Sequence, residues 1–342
     1  MNALQPDVPA RALADHLQKT LRELGIDPAQ RWLLGFSGGG DSMALLHLLH
    51  LCGFQALALC HLNHQLRGGE SQGDADFTLR QGENYGLRVF ARGESAADRA
   101  AGEKCSLEEA ARLQRREFFV EAAREFGARG VFLAHHADDQ AETCLHNLLR
   151  GTGVAGLTGM QPLSRLAAGQ NGEPPVLCCR PLLPVWRDEL REFLQRHDLP
   201  YREDSSNAAL DFTRNRLRHS LIPRLEKELE RPVRRALWRM SEILREEDAL
   251  LRDLTALTQL AGREELPVAD LVAQPLALQR RVLHQWFQRH CVPDVTFELI
   301  EHARLLLNPQ SGVAKINLPG DRHLRRRQMT LFIEASPGEQ EL

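Results

Sequence analysis

The densest chemistry in the sequence is Ser37-Gly38-Gly39-Gly40-Asp41-Ser42, six residues between an apolar run and a helical pattern. Three successive glycines let a backbone turn tightly and aim several N–H groups at one anion. A helix beginning near Asp41 adds the positive end of its dipole, and Ser37 and Ser42 add hydroxyl donors. Phosphate suits such a loop. The competing reading, a plain turn capped by Asp41, leaves the serine at each end of the glycines without a purpose. No lysine lies near and the Walker pattern is absent, so γ-phosphoryl transfer of that kind is not indicated.

A second constellation is His135-His136-Ala137-Asp138-Asp139-Gln140-Ala141-Glu142-Thr143. Asp138 and Glu142 are four residues apart and share a helix face, with Ala141, Leu145 and Leu148 as the opposing apolar stripe. Carboxylates beside a phosphate loop can hold magnesium on the phosphates or bind the ammonium group of an amine. The pairs His61/His64 and His135/His136, with the aspartates, also admit a hydrolytic metal centre. They can equally shape a nucleotide pocket, and only that reading gives the glycine loop a use.

A third feature is charge. Residues 212–240 hold nine basic residues (Arg214, Arg216, Arg218, Arg224, Lys227, Arg231, Arg234, Arg235 and Arg239) against three acidic ones, inside a chain of net charge -3. Such a run is either a solvated helical face or a contact for backbone phosphates. Arg214 and Arg218 fall on one helix face. Arg322, Arg325, Arg326 and Arg327 offer a second basic patch, open to the same two readings.

The elements that must position these residues alternate. Trp32–Phe36, Ala56–Cys60, Leu87–Ala91 and Val131–Ala134 read as strands, with a fifth around Val176–Cys179. Helical patterns fill about 41–51, 73–86, 106–127, 139–150 and 186–197. The fold class this predicts is α/β, a parallel sheet covered by helices with a smaller, mainly helical C-terminal domain. Ligands of such sheets lie beyond the carboxyl ends of the strands, where both constellations fall. Leu163–Pro175 reads as an exposed loop. Later helices are expected at Met240–Leu260, Leu276–His290 and Phe297–Leu307, then a small hairpin of Ala314–Leu318 and Met329–Ile333 around a Pro-Gly-Asp turn. The expected domains are 1–215, a basic helical linker over 216–245, and a helical domain over 246–342 that ends in the hairpin.

Composition narrows the class. A chain of 342 residues buries enough surface to need no disulfide or metal staple. Seven scattered cysteines with no C-x-x-C argue against a disulfide framework, a zinc ribbon or paired-cysteine iron–sulfur ligation. A reducing, cytoplasmic setting is expected. No run of 18 apolar residues and no basic-then-apolar N-terminal region occurs, so neither a membrane partner nor secretion is expected.

The loop SGGGDS after an apolar strand resembles the pyrophosphate loop of the ATP pyrophosphatase superfamily, whose members cleave ATP between the α and β phosphates. The remaining motifs select within it. They are His61-Leu62-Asn63-His64-Gln65-Leu66-Arg67, Leu107-Glu108-Glu109-Ala110-Ala111-Arg112, the acidic segment running on to Arg150-Gly151-Thr152-Gly153, Asp204-Ser205-Ser206-Asn207 and Arg214-Asn215-Arg216-Leu217-Arg218. In this order they are similar to the tRNA(Ile)-lysidine synthetase family over residues 30–225. One departure is Arg115-Arg116-Glu117, where an Arg-Tyr pair is expected, so the role of Arg116 stays open.

The resemblance implies ATP and magnesium as cofactors, and as partners free L-lysine and tRNA(Ile) with a CAU anticodon; a homodimer stays open. It implies catalytic roles for Asp41, Asp138, Glu142 and Arg112. Nucleotide contacts fall to Ser37, Gly38, Gly39, Gly40, Asp41, Ser42, His61, Asn63, His64, Arg67, His135 and Gly151, with Asp41 on magnesium. Lysine and tRNA fall to Asp138, Glu142, Arg150, Asp204, Asn207, Arg214, Asn215 and Arg218. Some family members are longer, and no further C-terminal domain is expected here. Two rivals are a tRNA thiolase, which lacks its usual paired cysteines here, and a nucleotide sensor without turnover, for which the polar constellation is too dense.

Overall fold

Trp32–Gly35 (β1) is apolar at every position because both of its faces are covered. In the computed structural model, which describes residues 8–63, 70–167, 174–202 and 213–334, this strand is central to a six-stranded sheet. The others are β2 (Leu57–Asn63), β3 (Arg88–Gly93), β4 (Gly130–Phe132), β5 (Leu163–Ala167) and β6 (Val176–Cys179). Their order is β3-β2-β1-β4-β6-β5. All neighbours are parallel except the edge pair β5–β6. From β1 the chain moves outward through β2 and β3, then returns to the other side of β1 for β4. The strand order therefore reverses between β1 and β4, which opens a crevice at their carboxyl ends.

Helices cover both faces. They are α1 (Val8–Glu23), α2 (Gly40–Leu51), α3 (Glu70–Tyr85), α4 (Ala96–Glu103), α5 (Leu107–Phe126), α6 (Ala137–Leu149), α7 (Val154–Leu157) and α8 (Arg187–Arg196). Strand alternation sorts the core. Trp32 and Leu34 face Leu45, Leu46, Phe132 and Phe193, whereas Leu33 faces Phe118, Phe119 and Val131. Ser106 accepts from the Glu109 N–H to start α5, and Gly127 ends it.

Two expectations for this part are corrected. Leu163–Ala167 is a strand rather than a loop: Leu163 lies opposite Cys179 and Ser164 opposite Cys178. Its partner supplies the ladder, which a short sequence without β-branched residues does not announce. Leu148 is exposed, so the apolar stripe of α6 is carried by Ala141 and Leu145, and Leu145 turns onto Leu217 and Ile222.

The chain then runs through α9 (Thr213–Arg216), a π-helical turn (Leu217–Leu221), α10 (Ile222–Leu229) and α11 (Val233–Leu257). Two compact units divide at Glu242/Ile243, within α11. The second contains β7 (Leu266–Pro267), α12 (Val268–Val272), α13 (Leu276–Arg289), α14 (Phe297–Leu305), β8 (Lys315–Leu318), β9 (Arg322–Arg327) and β10 (Thr330–Glu334). The expected hairpin is corrected to three successive strands in an antiparallel sheet of order β7-β10-β9-β8. The strand after the Pro-Gly-Asp turn is the arginine-rich β9, and its Leu324 joins Leu318, Leu331, Trp286 and Phe287 in the core of this unit. Among the described residues no helix is long and apolar enough to cross a membrane.

Candidate active site

The glycine loop joins β1 to α2. Gly38 has φ +82°, a conformation that side chains disfavour, and a Cβ there would meet Phe77 at 3.3 Å. At Gly40 a Cβ would stand 3.0 Å from Leu194. The serines brace this turn. Ser42 Oγ donates to the Gly39 carbonyl at 2.9 Å and lies 3.3 Å from Ser37 Oγ. The N–H groups of the first turn of α2 have no acceptor within the helix and remain available to an anion. Residues 201–202 strap the loop. The Arg202 N–H donates to the Gly38 carbonyl at 3.0 Å, and the Arg202 side chain pairs with Asp74. No sequence motif marked Arg202, because the contact joins positions far apart in the chain.

Across the crevice, the acidic segment leaves β4. The His136 N–H donates to Asp139 Oδ2 at 3.0 Å, which starts α6. The His136 ring is buried, with Nε2 3.5 Å from both Asp41 Oδ2 and Asp139 Oδ2, and Nδ1 3.7 Å from Asp138 Oδ2. This one imidazole bridges the loop after β1 to the helix after β4. Burial lowers its pKa, but the carboxylates of Asp139, Asp41 and Asp138 outweigh burial and raise it. Asp139 is held below the usual carboxylate range: burial pushes it up, and His136, Arg218 and His135 more than offset that. Glu142 is pushed up by burial despite the opposing pull of Arg218.

The basic segment closes over these carboxylates. Arg218 Nε donates to Glu142 Oε1 at 2.6 Å, Nη2 donates to Oε2 at 3.1 Å, and Nη2 also pairs with Asp139. Arg234 Nη1 donates to Asp138 Oδ1 at 3.0 Å while its other nitrogens hold Glu226. Asp138 Oδ2 accepts the Arg187 N–H at 3.0 Å, capping α8. Gln140, fully buried, donates to the Thr158 carbonyl at 2.7 Å and accepts the Met160 N–H at 2.8 Å, so it fixes the chain after α7. Sequence reading missed Arg234 and Gln140 as site residues, although Gln140 stands inside the acidic motif.

The other expected residues differ in burial and in place. His61 is buried, its Nδ1 2.9 Å from the Phe36 carbonyl, so it buttresses the end of β1. Asn63 ends β2, and His135 lies half-buried before α6. Arg112 is exposed on α5, with Glu109 at 3.9 Å, and Arg150 and Gly151 are exposed after α6. Arg116 donates to the Leu166 carbonyl at 2.8 Å, which ties α5 to the edge strand. Arg214 and Asn215 lie in α9. His64, Arg67, Asp204 and Asn207 lie outside the described residues. Among the described residues no three His, Cys, Asp or Glu side chains are arranged to hold a metal ion.

A mostly parallel sheet with a glycine loop at its reversal point, facing carboxylates across the crevice, defines a phosphate-loop protein. Residues 9–225 match the PP-loop domain family, and the chain belongs to it. Residues 266–332 match the TilS substrate binding domain. The tRNA(Ile)-lysidine synthase of Geobacter sulfurreducens is 35% identical over 85% of this chain and 62% of its own length. That of Bacillus subtilis is 36% identical over 73% and 53%, and that of Solibacter usitatus 33% identical over 85% and 64%. The chain thus spans about half to two thirds of the length of these curated relatives. Among solved structures, the U34-tRNA thiolase NcsA of Methanococcus maripaludis shares the fold, with TM-score 0.56, 18% identity, and 69% and 79% of the two chains covered.

Proposed function

We propose that the chain ligates lysine to the 2-position of the wobble cytidine in the CAU anticodon of tRNA(Ile), using ATP. The observation that carries this reading is the crevice itself. One buried imidazole joins Asp41 of the phosphate loop to the carboxylates of α6, so a nucleotide and an amine meet at one point. The relatives named tRNA(Ile)-lysidine synthase support the choice of substrates.

A carbonyl oxygen is a poor leaving group until it carries AMP. In the first step the cytidine 2-oxo oxygen attacks the α-phosphorus, an O–P bond forms and pyrophosphate departs. In the second the lysine ε-amine attacks C2, and AMP leaves with that oxygen. The N–H groups of the loop and α2 stabilise charge on the departing pyrophosphate. The family resemblance gives nucleotide contacts to His61, Asn63, His64, Arg67, His135 and Gly151, and exposed Arg112 is open to an incoming anion. The lysine ammonium, with an ordinary pKa of about 10.4, has to lose a proton before it attacks. Asp138 and Glu142 hold it and take that proton; the family resemblance gives Arg150, Asp204, Asn207, Arg214, Asn215 and Arg218 to the lysine and tRNA substrates.

Magnesium fits Asp41. Its carboxylate is about one third exposed beside the loop, and a magnesium ion held by one carboxylate and substrate phosphates needs no protein cage. When bound there, the ion would neutralise phosphate charge. The setting we propose is the cytoplasm, where ATP, lysine and tRNA meet. Incubation with ATP, labelled lysine and total tRNA tests the whole reading: label is expected in one isoleucine tRNA, and none in any tRNA removes the proposal.

A further inference from the structure

Two arginines of the basic segment point into the amine site. Arg218 covers both oxygens of Glu142 and one of Asp139, and Arg234 covers Asp138 Oδ1, whose partner oxygen already holds the Arg187 N–H. Every oxygen of Asp138 and Glu142 therefore has a donor, and an ammonium group competes with the protein's own guanidiniums. We propose that Arg218 and Arg234 are displaceable counter-cations of the amine site, drawn off by RNA phosphates, so that lysine and RNA bind cooperatively. This rests on the function proposed above and adds its regulation.

The physical reason is charge conservation. Carboxylates as enclosed as Glu142 and Asp138 are heavily penalised without a cation, so the empty site has to carry internal ones. Replacing a guanidinium by an ammonium preserves the compensation, whereas simple removal does not. Each released guanidinium then needs an anion, and an RNA backbone supplies one.

The geometry allows the exchange. The Arg218 side chain is 22% exposed and that of Arg234 45%, so phosphate reaches both from solvent. Arg218 lies in the π-helical turn, whose wider backbone spacing interrupts the regular helix, while Leu217 and Ile222 anchor that turn to Leu145. A change of side-chain rotamer thus suffices, with no unfolding of the segment. Arg224, Lys227, Arg231 and Arg239 are exposed along the same stretch and bring a polyanion close.

The test is calorimetric titration of L-lysine into the full chain, with and without an anticodon stem-loop RNA bearing CAU. In the wild type, RNA is expected to tighten lysine binding by about tenfold or more, and lysine to tighten RNA by the same factor. In Arg218→Gln/Arg234→Gln, lysine is expected to bind tightly without RNA, with coupling below about twofold. Arg218→Lys is expected to keep the coupling. Lysine binding no tighter in the double variant, or coupling that survives in it, overturns the proposal. If thermal melts show the double variant unfolded, Arg234→Gln alone, at the more exposed position, is read in the same way. Incorporation of label by the wild type tests the function separately. Incorporation together with coupling retained by the double variant refutes this inference and leaves the function standing.

Discussion

The segment of residues 213–242 and strand β9 are both rich in arginine and spend it differently. In the first, Arg218 and Arg234 lie on the carboxylates of a site, while Arg224, Lys227, Arg231 and Arg239 face solvent. In β9, Arg322 donates to the carbonyls of His290 and Cys291 at 2.6 and 2.5 Å, Arg326 to that of Leu306 at 2.7 Å, and Arg325 pairs with Glu334. The exposed Arg327 stacks over Phe332. Arginine in β9 thus serves mainly as mortar, closing carbonyls at the ends of α13 and α14. A count of basic residues does not measure a phosphate-binding surface: what matters is how many guanidiniums still lack an internal acceptor.

The widest contrast is catalytic. Asp41→Ala is expected to lower ATP-dependent pyrophosphate release by about 100-fold or more, while Arg322→Ala in the second unit leaves the per-molecule rate of adenylation on saturating tRNA near wild type. Equal losses in the two variants, read in a pyrophosphate assay, erase the distinction.

Stability comes next. Arg218→Ala strands Asp139 and Glu142 in a partly covered crevice, and a loss of about 2–3 kcal/mol is expected, discounted from a fully buried pair for solvent access. Arg322→Ala frees two carbonyls and costs about 1–2 kcal/mol. Urea midpoints order the two, and a larger loss at Arg322 reverses the comparison.

Acid weakens both units through histidines held below their ordinary pKa. His47 is lowered to about 4 by burial, then by His197 and His50. A base that is neutral in the fold contributes stability fully present above its unfolded value of 6.5, lost as the pH falls from there toward 4. His47→Gln is expected to lose less stability than wild type between about pH 7 and about pH 5. Parallel losses in the two proteins exclude His47 as the source. In the second unit His284 is also lowered, by burial and then Arg281, so acid weakens that unit in the same direction.

The smallest effect is at Arg327. Its replacement by alanine is expected to shift stability by under about 0.5 kcal/mol, and to reduce the salt slope of tRNA binding by about 1 if this side chain meets a phosphate. An unchanged slope assigns Arg327 to Phe332 alone.

Several parts of this molecule were written locally. The loop Ser37–Ser42 was legible because a left-handed glycine and a helix start depend on neighbours in sequence. The strands of the parallel sheet and the long helix α5 were legible from apolar runs and their period. Strand β5 was not, since its ladder comes from β6. The order of strands in the terminal sheet was not either, because an arginine-rich run reads as surface until its partners cover it. Within the site, the pairing of Asp138 with Glu142 on α6 followed from spacing, while the cations upon them did not.

By itself the sequence determined the phosphate loop, the acidic helix and the alternation that places both at strand ends, since each depends on contacts within a few residues. Only the tertiary structure decided that the strand order reverses between β1 and β4, bringing His136 to Asp41. It also decided that Arg218 and Arg234, which lie 76 and 96 residues beyond their carboxylates, turn inward. A charge in a crevice takes the nearest opposite charge in space, and distance along the chain does not enter that choice.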